Sequence, residues 1–195
     1  GMSAAKAKRT FRIGDMVAIF AQGPIGLCAT AGARLLGASR IIAVDRVPER
    51  LDMARRLGAH HTVDFSTVDP VAAVMDLTDG RGVDVAIEAL GLQSTFEACL
   101  RVLRPGGTLS SLGVYSADLS IPLDALVAGL GDHTITTTLC PGGSERMRRL
   151  MSVIASGQVD LGAMVTHRYR LDQIEEAYDL FSNQRDGVLK VAITP

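Results

Sequence analysis

The sequence has no tryptophan, only three tyrosines and five phenylalanines, no surplus of either charge and no closely spaced cysteines. Each shortage excludes something. The few aromatics leave little material for stacking surfaces. A formal net charge of -1, from 20 basic and 21 acidic residues, gives no clustered basic excess to meet a phosphate backbone, which argues against a nucleic-acid partner. Cys28, Cys99 and Cys140 lie 71 and 41 residues apart, so they match neither a zinc-ligand spacing nor an even disulfide framework. A reducing cytoplasm is the expected setting. No apolar run reads as a membrane span, because the longest uncharged stretch, residues 16–33, is broken in the middle by Gln22, Gly23, Pro24 and Gly26.

What is present is a globular composition, 47% apolar and 21% charged over 195 residues, which is enough for one core or two small ones. Twenty glycines exceed the average usage of about 7% and point to tight turns and close backbone approaches. Gly1 ahead of Met2 reads as a tag scar. The short basic run Lys6, Lys8, Arg9 and Arg12 reads as a solvated lead-in over residues 1–13, with no targeting role expected.

From Met16 onward, short β-branched runs alternate with longer helical segments, the pattern of βα units around a parallel sheet buried on both faces. Six strands are expected, over 16–20, 40–45, 61–65, 83–90, 107–113 and 134–139, with helices over 24–36, 48–57, 70–77, 94–103 and 122–127. Proline opens several of these helices, and Gly37 and Gly58 follow two of them, as start and stop signals should. The end of the chain differs. A helix over 144–155 is followed by an extended stretch at 165–169, a helix over 171–181 and a strand over 188–193, which need not join the sheet. The expected division is a domain over 14–157 and a tail over 158–195.

The first strand runs into Phe20-Ala21-Gln22-Gly23-Pro24-Ile25-Gly26, which matches the dinucleotide fingerprint G-x-G-x-x-G except that Ala21 replaces the first glycine. Gly23 would let the backbone approach a pyrophosphate, Gly26 would let helix and strand pack closely, and the amides opening the helix at Pro24 would hold the anion. By itself this could be an ordinary tight turn. Asp45 supports binding, because it closes the second strand 19 residues after Gly26, where an acid can accept hydrogen bonds from ribose hydroxyls. A carboxylate near 4 Å from a 2′-phosphate would repel it by roughly 1–4 kcal/mol, so NAD is expected over NADP. Arg46, next to Asp45, is the residue that could favour NADP; its plain reading is a solvated turn residue.

These residues resemble the nucleotide-binding domain of the zinc-dependent alcohol dehydrogenases, in the medium-chain dehydrogenase/reductase superfamily. The resemblance covers nearly the whole chain. It is carried by GDMVAIFAQGPIGL (14–27), GASRIIAVDRVPERLDMARRLGA (37–59), GVDVAIEALG (82–91), LRPGGTLSSLGVY (103–115), TTTLCPGG (136–143) and the closing THRYRLDQIEEAYDLF and KVAIT (within 166–194). It implies a doubly wound six-stranded parallel sheet of Rossmann type, in order 3-2-1-4-5-6, with a helix-strand tail. It further implies that Gly23, Pro24 and Ile25 cradle the pyrophosphate, that Asp45 and Arg50 flank the adenosine ribose, and that Ala89 and Leu90 lie beside the nicotinamide ribose. Leu112, Val114, Thr138 and Cys140 match positions lining the nicotinamide, and Lys190 matches a basic residue reaching the pyrophosphate. Cys140 could equally be a small buried apolar residue, and Lys190 a surface lysine. Ala21 departs from the commonest pattern, but it is small enough that only slight weakening of binding is expected.

Members of the family hold a catalytic zinc through an N-terminal domain that this sequence does not contain. His60, His61, His133 and His167 show no metal-ligand spacing and are expected to be structural or solvent-facing. The expected role is therefore cofactor binding for hydride transfer between an alcohol or aldehyde and NAD, with zinc only in the absent catalytic half and no turnover by this chain alone. A partner could supply that half, and a homodimer is expected through the sixth-strand region, residues 119–139. Two rival readings are a stand-alone dinucleotide sensor and an S-adenosylmethionine-dependent methyltransferase. The latter fits LRPGG before a strand but lacks the acidic, glycine-denser first turn. A short-chain dehydrogenase would need Lys four residues after Tyr, where Tyr115, Tyr169 and Tyr178 have Leu119, Gln173 and Ser182. No GK[ST] sequence exists for a nucleoside-triphosphate loop.

Overall fold

A computed structural model describes residues 11–138 and 142–195. The chain separates into two compact units, one ending at Gly143 and one starting at Ser144. The first holds six parallel strands: β1 (Met16–Phe20), β2 (Arg40–Asp45), β3 (His61–Asp64), β4 (Val83–Glu88), β5 (Leu103–Ser111) and β6 (Thr134–Thr137), in the order β3-β2-β1-β4-β5-β6. This is the doubly wound Rossmann order expected from the resemblance, with β1 central between β2 and β4. The connecting helices are α1 (Pro24–Leu35), α2 (Pro48–Leu57), α3 (Pro70–Asp76), α4 (Gln93–Arg101) and α5 (Leu123–Val127).

The central strands β1, β2 and β4 are almost wholly buried and mostly apolar because each face meets helices. Val17 and Ile19 of β1 pack with Ile41, Val85 and Ile87 against Ala29 and Ala33 of α1. On the opposite face Ala18 and Phe20 join Ile42, Val44 and Ala86 against Phe96, Cys99 and Leu100 of α4. Proline sits at the start of α1, α2 and α3, where its missing N–H costs nothing. Gly58 ends α2 in the left-handed conformation, and Asp69 caps α3 by accepting the Ala72 amide at 2.7 Å.

At the amino-terminal end of the sheet, Asp84 ties three strands together. It accepts the Met16 amide at 2.7 Å, Arg104 Nε at 2.5 Å and Arg81 at 3.0 Å. Burial works against its ionisation, but the Arg104 hydrogen bond, the Met16 amide and the charge of Arg81 outweigh that. The carboxyl is held below the usual carboxylate range.

Strand ends differ from expectation for local reasons. β4 stops at Glu88 instead of Leu90, because the Glu88 side chain captures the amides of Leu90 and Gly91 and turns the chain. β5 begins at Leu103 instead of 107, since Leu103 pairs with Val83 across a register shift.

The second unit contains α6 (Ser144–Ala155), β7 (Val165–Arg170), α7 (Ile174–Ser182) and β8 (Lys190–Thr194). β7 and β8 pair in parallel as a separate two-stranded sheet. Among the described residues, no helix is long and apolar enough to cross a membrane.

Candidate functional site

Strand order reverses at β1, so the connections from β1 and β4 diverge and leave a crevice at the carboxyl ends of the strands. The residues singled out on the first unit gather along this rim. Ala21 follows β1, Asp45 closes β2, Ala89 and Leu90 follow β4, Leu112 and Val114 follow β5, and Thr138 follows β6. Cys140 lies outside the described residues. Lys190 is exposed on β8, in the second unit.

The turn after β1 is tightly fixed. Ala21 has φ 71°, a left-handed conformation that costs an L-residue roughly 1–2 kcal/mol. The departure from the glycine pattern thus falls at the residue whose backbone favours glycine, and its cost is conformational as well as one of size. Gly26 is required by space, because a Cβ there would stand 1.8 Å from the Ala21 carbonyl oxygen. Gly23 is different: a Cβ there would meet nothing within 4 Å. The turn therefore presents bare backbone to open space at Gly23. The first bond of α1 runs from the Leu27 amide to the Gly23 carbonyl at 2.9 Å, so the Ile25 and Gly26 amides precede it without intrahelical partners. Such a turn suits an anion.

Asp45 is buried and oriented by three backbone amides. Gln22 donates to Oδ2 at 2.6 Å, and Arg46 and Val47 donate to Oδ1 at 2.8 and 3.0 Å. Arg50 stands 3.9 Å from Oδ2, whereas Arg46 is exposed. The carboxylate is thereby fixed against the glycine-rich turn.

Beside it lies an apolar cavity of about 270 Å³, lined in part by Val44, Phe65, Pro70, Leu90 and Leu92. Phe65, Leu90 and Leu92 are about half exposed. Phe65 and Leu92 carry no motif that marks them in the sequence.

Two further residues were not legible beforehand. Glu88, fully buried at the end of β4, accepts the amides of Leu90 (2.9 Å) and Gly91 (2.8 Å), the Thr95 hydroxyl (2.8 Å) and the Tyr115 hydroxyl (2.8 Å). Tyr115 also bonds Ser111 at 2.8 Å. Glu88 and Tyr115 thereby fasten the segment after β4 to the segment after β5. Gly113 is needed for that approach, since its Cβ would lie 2.4 Å from Glu88 Oε2 and 2.3 Å from the Gly91 amide nitrogen. An acid inside the expected strand over 83–90 was the signal available.

Two of the histidines are engaged locally. His60 Nδ1 accepts the Ile41 amide at 3.0 Å, and His167 Nε2 stands 3.1 Å from Asp186. Among the described residues, no group of three or more His, Cys, Asp or Glu side chains is placed to hold a metal ion.

A family model described as zinc-binding dehydrogenase matches residues 24–156. The chain belongs to the zinc-binding dehydrogenase family. It is 70% identical over 184 residues to an alcohol dehydrogenase of Cupriavidus necator, covering 94% of this chain and 50% of that protein. It is 36% identical over 184 residues to the NADP-dependent isopropanol dehydrogenase of Thermoanaerobacter brockii, covering 93% of this chain and 52% of that protein. Among solved structures, alcohol dehydrogenase TADH from Thermus sp. ATN1 superposes with a TM-score of 0.86 at 32% identity, over 98% of this chain and 54% of that one. The chain thus spans about half the length of the curated relatives it matches, and the matched half is the family's dinucleotide-binding part.

Proposed function

We propose that this chain binds a nicotinamide dinucleotide, NAD(H) in preference to NADP(H), as the cofactor-holding part of a zinc-type alcohol dehydrogenase. The observation that carries the reading is the Asp45 carboxylate, fixed by three amides against a turn that opens to solvent at Gly23. That pairing suits a ribose beside a diphosphate. The relatives do not decide between the cofactors, since one of them is NADP-dependent by name. Charge argues for NAD, because Asp45 would repel a 2′-phosphate.

In this reading Gly23, Pro24 and Ile25 cradle the diphosphate, and Asp45 with Arg50 flanks the adenosine ribose. The cavity beside Phe65 takes the adenine ring. Ala89 and Leu90 flank the nicotinamide ribose, and Leu112, Val114 and Thr138 border the nicotinamide. The Leu90 N–H is already given to Glu88, so that residue contributes its carbonyl and side chain. A bound nicotinamide supplies the hydride acceptor or donor; the protein supplies position and field. In this reading a zinc would be held outside the described residues of this chain and would supply polarisation of the substrate oxygen, so the described residues by themselves would bind cofactor without turning over alcohol.

Association as a homodimer is part of this reading, and is supported by β6 at the sheet edge and the exposed Leu119, Ile121, Leu123 and Leu126 before it. Light scattering should give twice the chain mass, and a monodisperse monomer would remove the dimer from the account. The cofactor reading is tested by calorimetric titration with NADH, NADPH and S-adenosylmethionine. NADH should bind well ahead of the other two, and tighter binding of S-adenosylmethionine would favour a methyltransferase instead.

A further inference from the structure

Ala21 takes a left-handed conformation without being glycine, and the fastenings around it are unequal in kind. Two are made by backbone amides: that of Ala21 donates to the Val44 carbonyl at 2.9 Å, and that of Gln22 to the Asp45 carboxylate at 2.6 Å. The third is a side chain. Gln22 is fully buried; its Nε2 donates to the Ile19 carbonyl at 3.0 Å, and its Oε1 accepts the Thr30 hydroxyl at 3.0 Å. One carboxamide thus bridges the end of β1 and the second turn of α1, from inside the turn those elements enclose. Burying a primary amide is unfavourable unless it is hydrogen-bonded, so a glutamine here is explained by its bonds more than by its volume.

We propose that Gln22 is a positioning residue for the dinucleotide. Its carboxamide pegs the turn, keeps Ala21 left-handed and holds the first amides of α1 aimed at the diphosphate, replacing the conformational ease that the missing glycine would give. The ligand part of this statement rests on the dinucleotide reading; the peg itself does not.

The test is a double-mutant cycle on the full chain with Gln22→Met and Ala21→Gly. Two probes are titrated, ADP-ribose, which carries the diphosphate, and adenosine, which does not. Gln22→Met should weaken ADP-ribose binding about fivefold, the ratio expected for a lost buried hydrogen bond, and leave adenosine binding within about twofold. In the Ala21→Gly background, where the turn no longer needs holding, most of the loss should vanish. Thr30→Val, which removes one bond and keeps the glutamine, should act in the same direction more weakly and serves if Gln22→Met fails to fold. Equal losses in both backgrounds, equal losses for both probes, or no loss would each overturn the proposal. If the unaltered chain binds neither probe, the dinucleotide reading fails, and chemical unfolding decides the peg. A Gln22→Met stability loss that shrinks in the Ala21→Gly background upholds it, and strictly additive losses overturn it.

Discussion

Asp45 and Glu88 close the two strands that flank β1, and both carboxylates are buried, yet their surroundings give them different work. Glu88 is fully buried and accepts four hydrogen bonds, three at Oε1 and one at Oε2, all from groups of its own fold. Asp45 accepts three, all from backbone amides, and leaves acceptor capacity unspent next to the open turn. The difference separates fastening from recognition. An acid enclosed by donors from several segments joins pieces of scaffold, whereas an acid oriented by amides at the rim can still serve a ligand.

The largest effect that would test this contrast is expected from Glu88→Gln. The carboxamide can accept at only one of its two ends and turns an N–H₂ toward donors, so unfolding free energy should fall by about 2–3 kcal/mol. Denaturant titration measures it, and a loss under about 0.5 kcal/mol would break the contrast at its firmer side. Asp45→Asn should act on selectivity instead. The NADH-to-NADPH affinity ratio should drop about tenfold as the repelling charge disappears, measured by competitive titration. An unchanged ratio would leave Asp45 as scaffold only.

Tyr115→Phe removes bonds to Glu88 and Ser111 and should destabilise by about 1 kcal/mol. It also carries a pH signature. Burial pushes the Tyr115 hydroxyl well above its ordinary range; the Ser111 bond opposes this, while the neighbouring Glu88 carboxylate adds to it. The folded state therefore favours the neutral phenol. The associated stability is complete below about pH 10, the ordinary tyrosine value, and is lost as pH rises beyond it. Alkaline unfolding curves should be less steep for Tyr115→Phe than for the unaltered chain.

The smallest effect concerns His133, whose ring nitrogens are buried without hydrogen-bond partners among the described residues. Burial lowers its pKa, with Asp132 opposing, so the folded state favours the neutral ring. Stability should decline as pH falls below about 6.5, where the unfolded ring gains its proton, and His133→Phe should flatten that decline.

Most element positions were legible because parallel strands buried on both faces read as β-branched runs, and because proline and glycine punctuate the helices; the sheet order was implied by the family resemblance. Asp45 was legible through its distance from Gly26. Glu88 was not, since nothing marks an acid inside the expected strand over 83–90, and its four donors come from a loop, a helix and a segment 27 residues away. Gln22 was hidden because one of its side-chain partners, Thr30, lies a full helical turn into α1. Phe65 and Leu92 look like core residues in sequence, and only the fold leaves them beside a cavity.

The central claim is that a dinucleotide lies along the carboxyl rim of the first unit, with its diphosphate at the turn after β1 and its ribose at Asp45. Amide chemical-shift mapping during an NADH titration tests it most directly. The account predicts shifts concentrated at residues 22–27 and 46–47, with the Met16 and Arg104 amides at the opposite end of the sheet unmoved. Saturable shifts confined to any other surface, or none at all, would contradict it.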